Sequence, residues 1–298
     1  MNKIDFHADD YGLSVNNSKR IIELIDSGKL NSISIIANMG CFDECIQLLK
    51  EKWVSWEVKP LISVHINLID GYTLSKSDST ITSSSLKNDN PSGKTTNGSW
   101  GNLFLHSFFS SANLKRELTA EIKAQILAVR NALPFVDELR LDSHVHTHMI
   151  PVVFDSMMCA VDELGLNDKV TFIRNSREPL IMFLTTSEVR GTFPIVNTLK
   201  NIILNILSIR VTKKLRKLNL PKAMLWGLIM SGQMDSKRVK KLSPSMQSYA
   251  SKRDNYLEIL CHPGIVLDSE IRPEYGKADL SFILSPNRDV EYSMVDER

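Results

Sequence analysis

The sequence is sparing in several respects, and each scarcity excludes something. Only four cysteines occur in 298 residues (Cys41, Cys45, Cys159 and Cys261), and no two form a CxxC pair. A structural zinc knuckle and a dense disulfide framework are therefore excluded as organising features. Charge of either sign is not in surplus: 36 Lys and Arg against 34 Asp and Glu leave +2. No global field invites nucleic acid, so a basic patch must be local. No window of about 18 residues is apolar throughout, so no membrane-spanning helix is expected. The opening residues, MNKIDFHADDYG, lack an apolar core of signal-peptide length, and the expected compartment is the cytoplasm. Histidine is also scarce, but its seven copies are not scattered. Six sit in four short clusters, His7, His65, His144/His146/His148 and His262, and only His106 lies outside them.

Hydrophobic residues at 43% and charged residues at 23% describe an ordinary globular chain. Its first half alternates strand and helix signals. Residues 3–8 read as a strand that stops at the polar turn Asp9-Asp10-Tyr11-Gly12. Ser14 suits the N-cap of a helix over 15–27, and Gly28 suits its stop. Strands follow at 32–37, 61–66, 138–142, 170–174 and 257–261, with helices at 41–51, 114–133 and 152–164. Residues 72–101 are rich in Ser, Thr, Asn and Gly and read as an inserted loop. This alternation predicts a parallel α/β fold, and a barrel of the TIM type absorbs nearly 300 residues as one domain. Residues 270–298 read as an irregular tail.

Each histidine cluster falls at a predicted strand end, where α/β folds gather their sites. The segment His7-Ala8-Asp9-Asp10 offers one carboxylate to bind a metal and another to take a proton. In Ser63-Val64-His65-Ile66-Asn67, strand alternation puts His65 and Asn67 on one face. In Asp142-Ser143-His144-Val145-His146-Thr147-His148, three imidazoles share a face if the chain is extended, and neutral imidazole suits a divalent transition metal. Pro263-Gly264 turns the chain straight after Cys261-His262 and presents His262 as a general acid or base. One carboxylate and two imidazoles make a three-ligand site with open positions, as catalytic metals require. A carboxylate and an imidazole remain as base and acid, which is equipment for metal-assisted hydrolysis.

Four segments, Ala8-Asp9-Asp10-Tyr11-Gly12-Leu13-Ser14, His65-Ile66-Asn67-Leu68, Asp142 through Pro151, and Glu258 through Gly264, occur in an order and spacing that resemble the YdjC-like carbohydrate deacetylases. That group contains chitooligosaccharide deacetylase and the hopanoid-biosynthesis deacetylase. The resemblance implies a barrel-like fold and removal of an N-acetyl group from an acetylated amino sugar. It implies Asp10, His65 and His144 as ligands of one divalent metal ion (Mg, Zn, Mn, Co or Ni), Asp9 as base and His262 as acid. Asn67, His146, His148 and Arg174 are the candidates for substrate contact, with Arg174 alternatively the partner of a carboxylate.

The stretch 197–220 carries Leu199, Ile202, Ile203, Ile206 and Leu207 at helical spacing, followed by Arg210, Lys213, Lys214, Arg216 and Lys217. Two readings stand for it: an amphipathic helix packed on the barrel, or one lying at a membrane surface on the inner face of the membrane, with contact through 199–217. A homodimer is a further open alternative. Two other functions stay in play, hydrolysis of another amide or a phosphoester, and sugar binding without turnover.

Overall fold

The computed structural model of the chain describes residues 4–75, 100–108, 112–186, 194–276 and 280–298. Most of the inserted loop, 76–99, lies outside them. The strands are β1 (Ile4–Tyr11), β2 (Ser32–Ile35), β3 (Leu61–Ile66), β4 (Leu139–Ser143), β5 (Val170–Ile173), β6 (Ala223–Trp226) and β7 (Tyr256–Cys261). They form one seven-stranded sheet in the order β5-β4-β3-β2-β1-β7-β6. Every recorded pairing is parallel. Parallel neighbours need crossovers, and helices supply them. These are α1 (Val15–Asp26), α2 (Phe42–Trp53), α3 (Trp100–Phe108), α4 (Ala112–Ala132), α5 (Pro151–Glu163), α6 (Leu180–Thr185), α7 (Ile195–Lys217), α8 (Ser236–Ser251), α9 (Leu280–Ile283) and α10 (Asn287–Asp296).

Local chemistry explains the first of these helices. The Ser14 side chain accepts the Asn17 N–H at the start of α1. Ile21, Ile22, Leu24 and Ile25 form its buried face. Gly28 takes φ +68° just past its end, a conformation that costs glycine little.

Both faces of the sheet are buried, but they differ in kind. In β1, Phe6 and Ala8 alternate with Asp5, His7 and Asp9, all buried. The apolar set continues through Ile33, Ile35, Ile62, Val64, Leu141, Leu257 and Ile259, and the polar set through Ser32, Ser34, Ser63, His65, Arg140, Asp142 and Glu258. The polar face is the inside of a curl. Strands β1 and β5 are four places apart in the sheet, which is about 19 Å if the sheet were flat. Yet Arg174, just after β5, reaches Asp9 of β1 at 2.8 Å. Only a strongly curved sheet permits that contact.

The curl stops short of a closed ladder in the recorded pairings, which leave β5 and β6 as the edges. The gap is narrow and bridged. Leu225 N–H of β6 donates to Arg177 O at 3.1 Å. Glu178, fully buried, accepts from the N–H groups of Gly227, Leu228 and Ile229 just beyond β6, and from Asn201 Nδ2 of α7. Gly227 has φ +137°, and a Cβ there would meet Leu260 O at 2.5 Å, so this corner accepts no side chain.

The structure shifts two sequence-based boundaries with consequences for function. The turn expected at Asp9-Asp10 is instead strand, since β1 runs to Tyr11. The tail expected to be irregular contains α10, which contributes the buried Arg288 and Glu291.

Burial lifts the Glu178 carboxyl to about 7, against the pull of the Gly227, Ile229 and Leu228 N–H groups and Asn201. The folded chain then holds this proton more tightly than the unfolded chain. That contribution to stability is full below the ordinary value of 4.5 and is lost as pH rises through about 7. Glu178→Gln abolishes the titration. The stability of the wild type minus that of the variant, from urea unfolding, is expected to fall by about 1–3 kcal/mol between about pH 5 and about pH 8. A difference that stays constant or grows would overturn this account.

Candidate active site

The site lies where β1, β3, β4 and β7 end. A backbone irregularity brings the two neighbouring aspartates together. Regular alternation would send Asp9 and Asp10 to opposite faces. Instead, the register with β2 slips between Ala8 and Tyr11, and Asp10 adopts φ +68°. This bulge re-aims Asp10, the usual effect of an extra residue in one strand.

Asp10, His65 and His144 converge, with one potential ligand atom from each lying within 4.8 Å of the others. All three are buried. Asp10 Oδ1 lies 3.0 Å from His144 Nδ1 and 3.6 Å from His65 Nε2. Its other oxygen faces Arg288 Nη1 at 3.1 Å. Asp142 fixes the ring of His65. The two are paired across β3 and β4, and His65 Nδ1 meets Asp142 Oδ1 at 2.6 Å. That leaves Nε2 facing the aspartates. Burial works against a charge on His65, but Asp9 and Asp142 outweigh it and raise its pKa to about 9. Asp10 is held well below the usual carboxylate range despite burial, through His144, His65 and Arg288. A carboxylate and two imidazoles are a donor set that divalent transition metals accept. The chain's residues therefore fit such an ion.

His144 reaches this point through an unusual segment. Residues His144–Met149 form a 3-10 turn, not the extended run that would align three imidazoles. Val145 and His146 both have positive φ, 49° and 59°. For a β-branched residue this is a strained conformation of the sort that collects at functional sites. It separates the three histidines. His148 is sealed in, with Nδ1 on Ser143 Oγ at 2.6 Å and Nε2 on Arg174 O at 2.9 Å. Burial pushes its pKa down to about 4, so it is neutral. His146 bonds Ser176 Oγ at 2.9 Å and is likewise held neutral, by burial and by the charges of Lys200 and Arg174.

Arg174 and Asn67 also differ from the sequence expectation of substrate contact. Arg174 is fully buried and spends its donors on carboxylates. It clamps Asp9 bidentately at 2.8 and 2.9 Å, bonds Glu258 at 2.9 Å and lies 3.2 Å from Asp142. The alternative role, partner of a carboxylate, is the one it fills. Asn67 is fully buried and accepts the N–H groups of Ile69 and Asp70, shaping the turn that brings Asp70 Oδ2 to 3.6 Å from His144 Nε2. Asn67, His148 and Arg174 thus hold the site from behind.

A second group of possible metal ligands, His7, Asp9 and Asp142, adjoins the first. The guanidinium of Arg174 already supplies a cation to its two carboxylates. His7 spans this region, with Nε2 on Ser34 at 2.6 Å and Nδ1 on Ser32 at 2.7 Å. Despite burial, Asp9 is held well below the usual carboxylate range by Arg174 and His65.

His262 follows β7 and its side chain keeps 14% exposure, more than that of any ligand candidate. Glu291 of α10 accepts its backbone N–H at 2.6 Å and lies 3.2 Å from its Nδ1. The ring's Nε2 is left for other partners. Glu291 and Arg288 were missed from the sequence because nothing in their local run marks them. They act through position three residues apart on a helix distant from every motif.

The fold and this donor set define the class: parallel α/β proteins with a carboxylate–imidazole constellation at the carboxyl ends of the strands. Within that class, a family model described as YdjC-like protein matches residues 3–297, and the chain belongs to the YdjC-like family. A search of curated proteins returns no match. Among solved structures, the chain is similar to one from Enterococcus faecalis named as a "putative cellobiose-phosphate cleavage protein". The identity is 16%, the TM-score 0.57, and the match covers 99% of this chain and 91% of that one. That likeness supports the fold.

Removing the buried cation tests how the site is held. Arg174→Met leaves Asp9, Asp142 and Glu258 facing one another without it. Urea unfolding is expected to show a loss of about 3–5 kcal/mol, the range for breaking a buried ion pair. A loss below about 1 kcal/mol would mean that the network is not structural.

Proposed function

We propose that this protein is a metal-dependent hydrolase that removes the N-acetyl group from an acetylated amino sugar. The observation that carries the reading is the convergence of Asp10 of β1, His65 of β3 and His144, from the turn just after β4, in a chain of the YdjC-like family. Asp9 lies in β1, and His262 directly follows β7, the neighbouring strand of the same sheet.

Asp10, His65 and His144 would hold a divalent ion, which would supply Lewis-acid polarisation of an acyl oxygen and a more acidic water. The chain's own groups do the rest. Asp9 is kept ionised by Arg174, the state a base needs at the start of turnover. It takes a proton from water as the oxygen attacks the acetyl carbon. His262 gives a proton to the nitrogen as the C–N bond breaks, releasing the amine and acetate. Glu291 holds the His262 ring by Nδ1, so Nε2 is the atom that donates. His65 is oriented by Asp142, and Asp10 by Arg288. Such partners behind a ligand commonly tune metal affinity.

The test uses purified protein with a panel of acetylated amino sugars and sugar phosphates, with acetate and free phosphate read separately. Acetate is expected, abolished by chelation and restored by a divalent metal. His65→Ala and His144→Ala are expected to lose stoichiometric metal in elemental analysis. Asp9→Asn is expected to keep metal and lose activity by about 10²-fold or more. Phosphate release without acetate would overturn the reaction class. Near-full activity of Asp9→Asn would overturn the base. Sugar binding with no product after metal loading would make the chain a binding protein.

A further inference from the structure

Helix α7 (Ile195–Lys217) has two apolar stripes, and the protein covers one. Leu204, Val211 and Leu215 are buried, together with Asn201 and Ser208. The stripe legible in the sequence is on the other side. Ile195 is 86% exposed, Leu199 59% and Ile206 63%, with Ile202 and Ile209 beside them on the same outer face. The stripe runs on into α6, where Ile181 and Leu184 are exposed. Ile181 and Ile209 share a surface groove of about 460 Å³ with Lys213 and Arg216. A surface helix normally turns polar residues outward, and a continuous exposed apolar patch marks an interaction surface.

Charge selects the partner. Between Glu188 and Asp235 there is no acidic residue in 46 positions, where the chain's average of 34 in 298 would place about five. The same stretch has eight basic residues. Asp155 pairs with Arg210 and lies 3.9 Å from Lys214. Lys213, Arg216 and Lys217 are exposed at the end of the stripe. A second copy docked on this face would bring cationic surface to cationic surface, which disfavours pairing. An anionic lipid surface answers both features, with acyl chains for the isoleucines and headgroups for the cations. No described helix is long and apolar enough to cross a membrane, so contact would be at the surface.

We propose that the outer face of α6 and α7 docks this protein on a bilayer containing anionic lipid. The docked face adjoins the site end of the sheet. Asn201, on the inner face of the same helix, donates to Glu178 beyond β5.

The full chain is mixed with vesicles of phosphatidylcholine, alone or with about 30% phosphatidylglycerol, at about 0.1 M salt. Co-sedimentation is expected only with the anionic vesicles and is expected to fall at about 0.5 M salt. Leu199→Ser combined with Ile206→Ser, and separately Lys213→Glu combined with Arg216→Glu, are each expected to weaken binding at least tenfold. Both pairs change exposed residues, and circular dichroism checks that they fold. Absence of binding by the wild type overturns the proposal, as does equal binding by folded variants. Sedimentation equilibrium distinguishes the other occupant. A wild-type dimer that Leu199→Ser with Ile206→Ser converts to monomer, with vesicle binding unchanged, would assign the face to a second copy. None of these measurements requires turnover, so they stand or fall apart from the deacetylase reading.

Discussion

The guanidinium of Arg174 is the contact on which the rest of the structure depends. It is fully buried and touches carboxylates from three strands, Asp9 of β1, Asp142 of β4 and Glu258 of β7. A buried cation is costly to desolvate and is tolerated only when well paired. A fork of donors in one plane matches several carboxylates better than an ammonium would. The contact also sets the curvature, because Arg174 and Asp9 meet only if four strand spacings curl toward one side. Curl, ion network and site are therefore one feature. The polar inner face that would be intolerable in a flat sheet becomes a largely paired set of groups in a curled one, with Ser63 Oγ and Glu258 Oε2 among the atoms left without a hydrogen bond. Burial still leaves Glu258 raised, even with Arg174 beside it. Three carboxylates against one guanidinium leave the interior short of positive charge. His65, pushed up to about 9, is where that shortage shows.

Two departures from ideal backbone aim the functional groups. The bulge at Asp9–Asp10 lets adjacent residues serve one site, with Asp9 turned to Arg174 and Asp10 to His144. The paired positive-φ residues Val145 and His146 turn the chain at the end of β4, so that His144 faces Asp10 while His148 turns back to Arg174 O. Positive φ at a valine costs energy that the surrounding packing must hold. The contacts of His148 on both sides of its ring are part of what holds it. The segment that looked like three parallel ligands is one ligand candidate and two braces.

Much of this was legible in the sequence, and the reasons for the rest are specific. Strands β1 to β5 and β7 follow β-branched or alternating runs, and α1, α4 and α5 follow helical spacing, with a side-chain cap at α1, so local signals suffice there. Strand β6 has four residues, and α8 carries Pro244 inside a lysine- and serine-rich run. The first is too short to show a period, and in the second Pro244 masks the helical spacing of Val239, Leu242, Met246 and Ala250. Asp10, His65 and His144 were marked because each sits in a short polar cluster at a strand end. The burial of Arg174 was not legible, since an arginine after a strand reads as surface until the fold supplies three carboxylates. Arg288 and Glu291 are invisible for the same reason. Their partners, Asp10 and His262, are far away in sequence, and only the return of α10 to the strand ends brings them together.

The edges of the sheet explain why the chain spends so many residues between β5 and β6. A parallel sheet with exposed edges presents unpaired backbone groups. Here the edge strands approach each other, and Glu178 accepts the three N–H groups that turn away after β6, where no carbonyl faces them. Its carboxylate does the work of a missing neighbour, and Gly227 permits the approach. Asn201 of α7 donates to the Glu178 carboxylate and Asn205 to the Glu178 backbone carbonyl, so the helix that carries the outward apolar stripe is anchored to the same residue that closes the gap. Closure and the placing of α7 are then a single requirement. With its inner stripe committed to Glu178 and the core, α7 has no freedom to rotate its second apolar stripe inward. The exposure of Leu199 and Ile206 follows from how the sheet is closed.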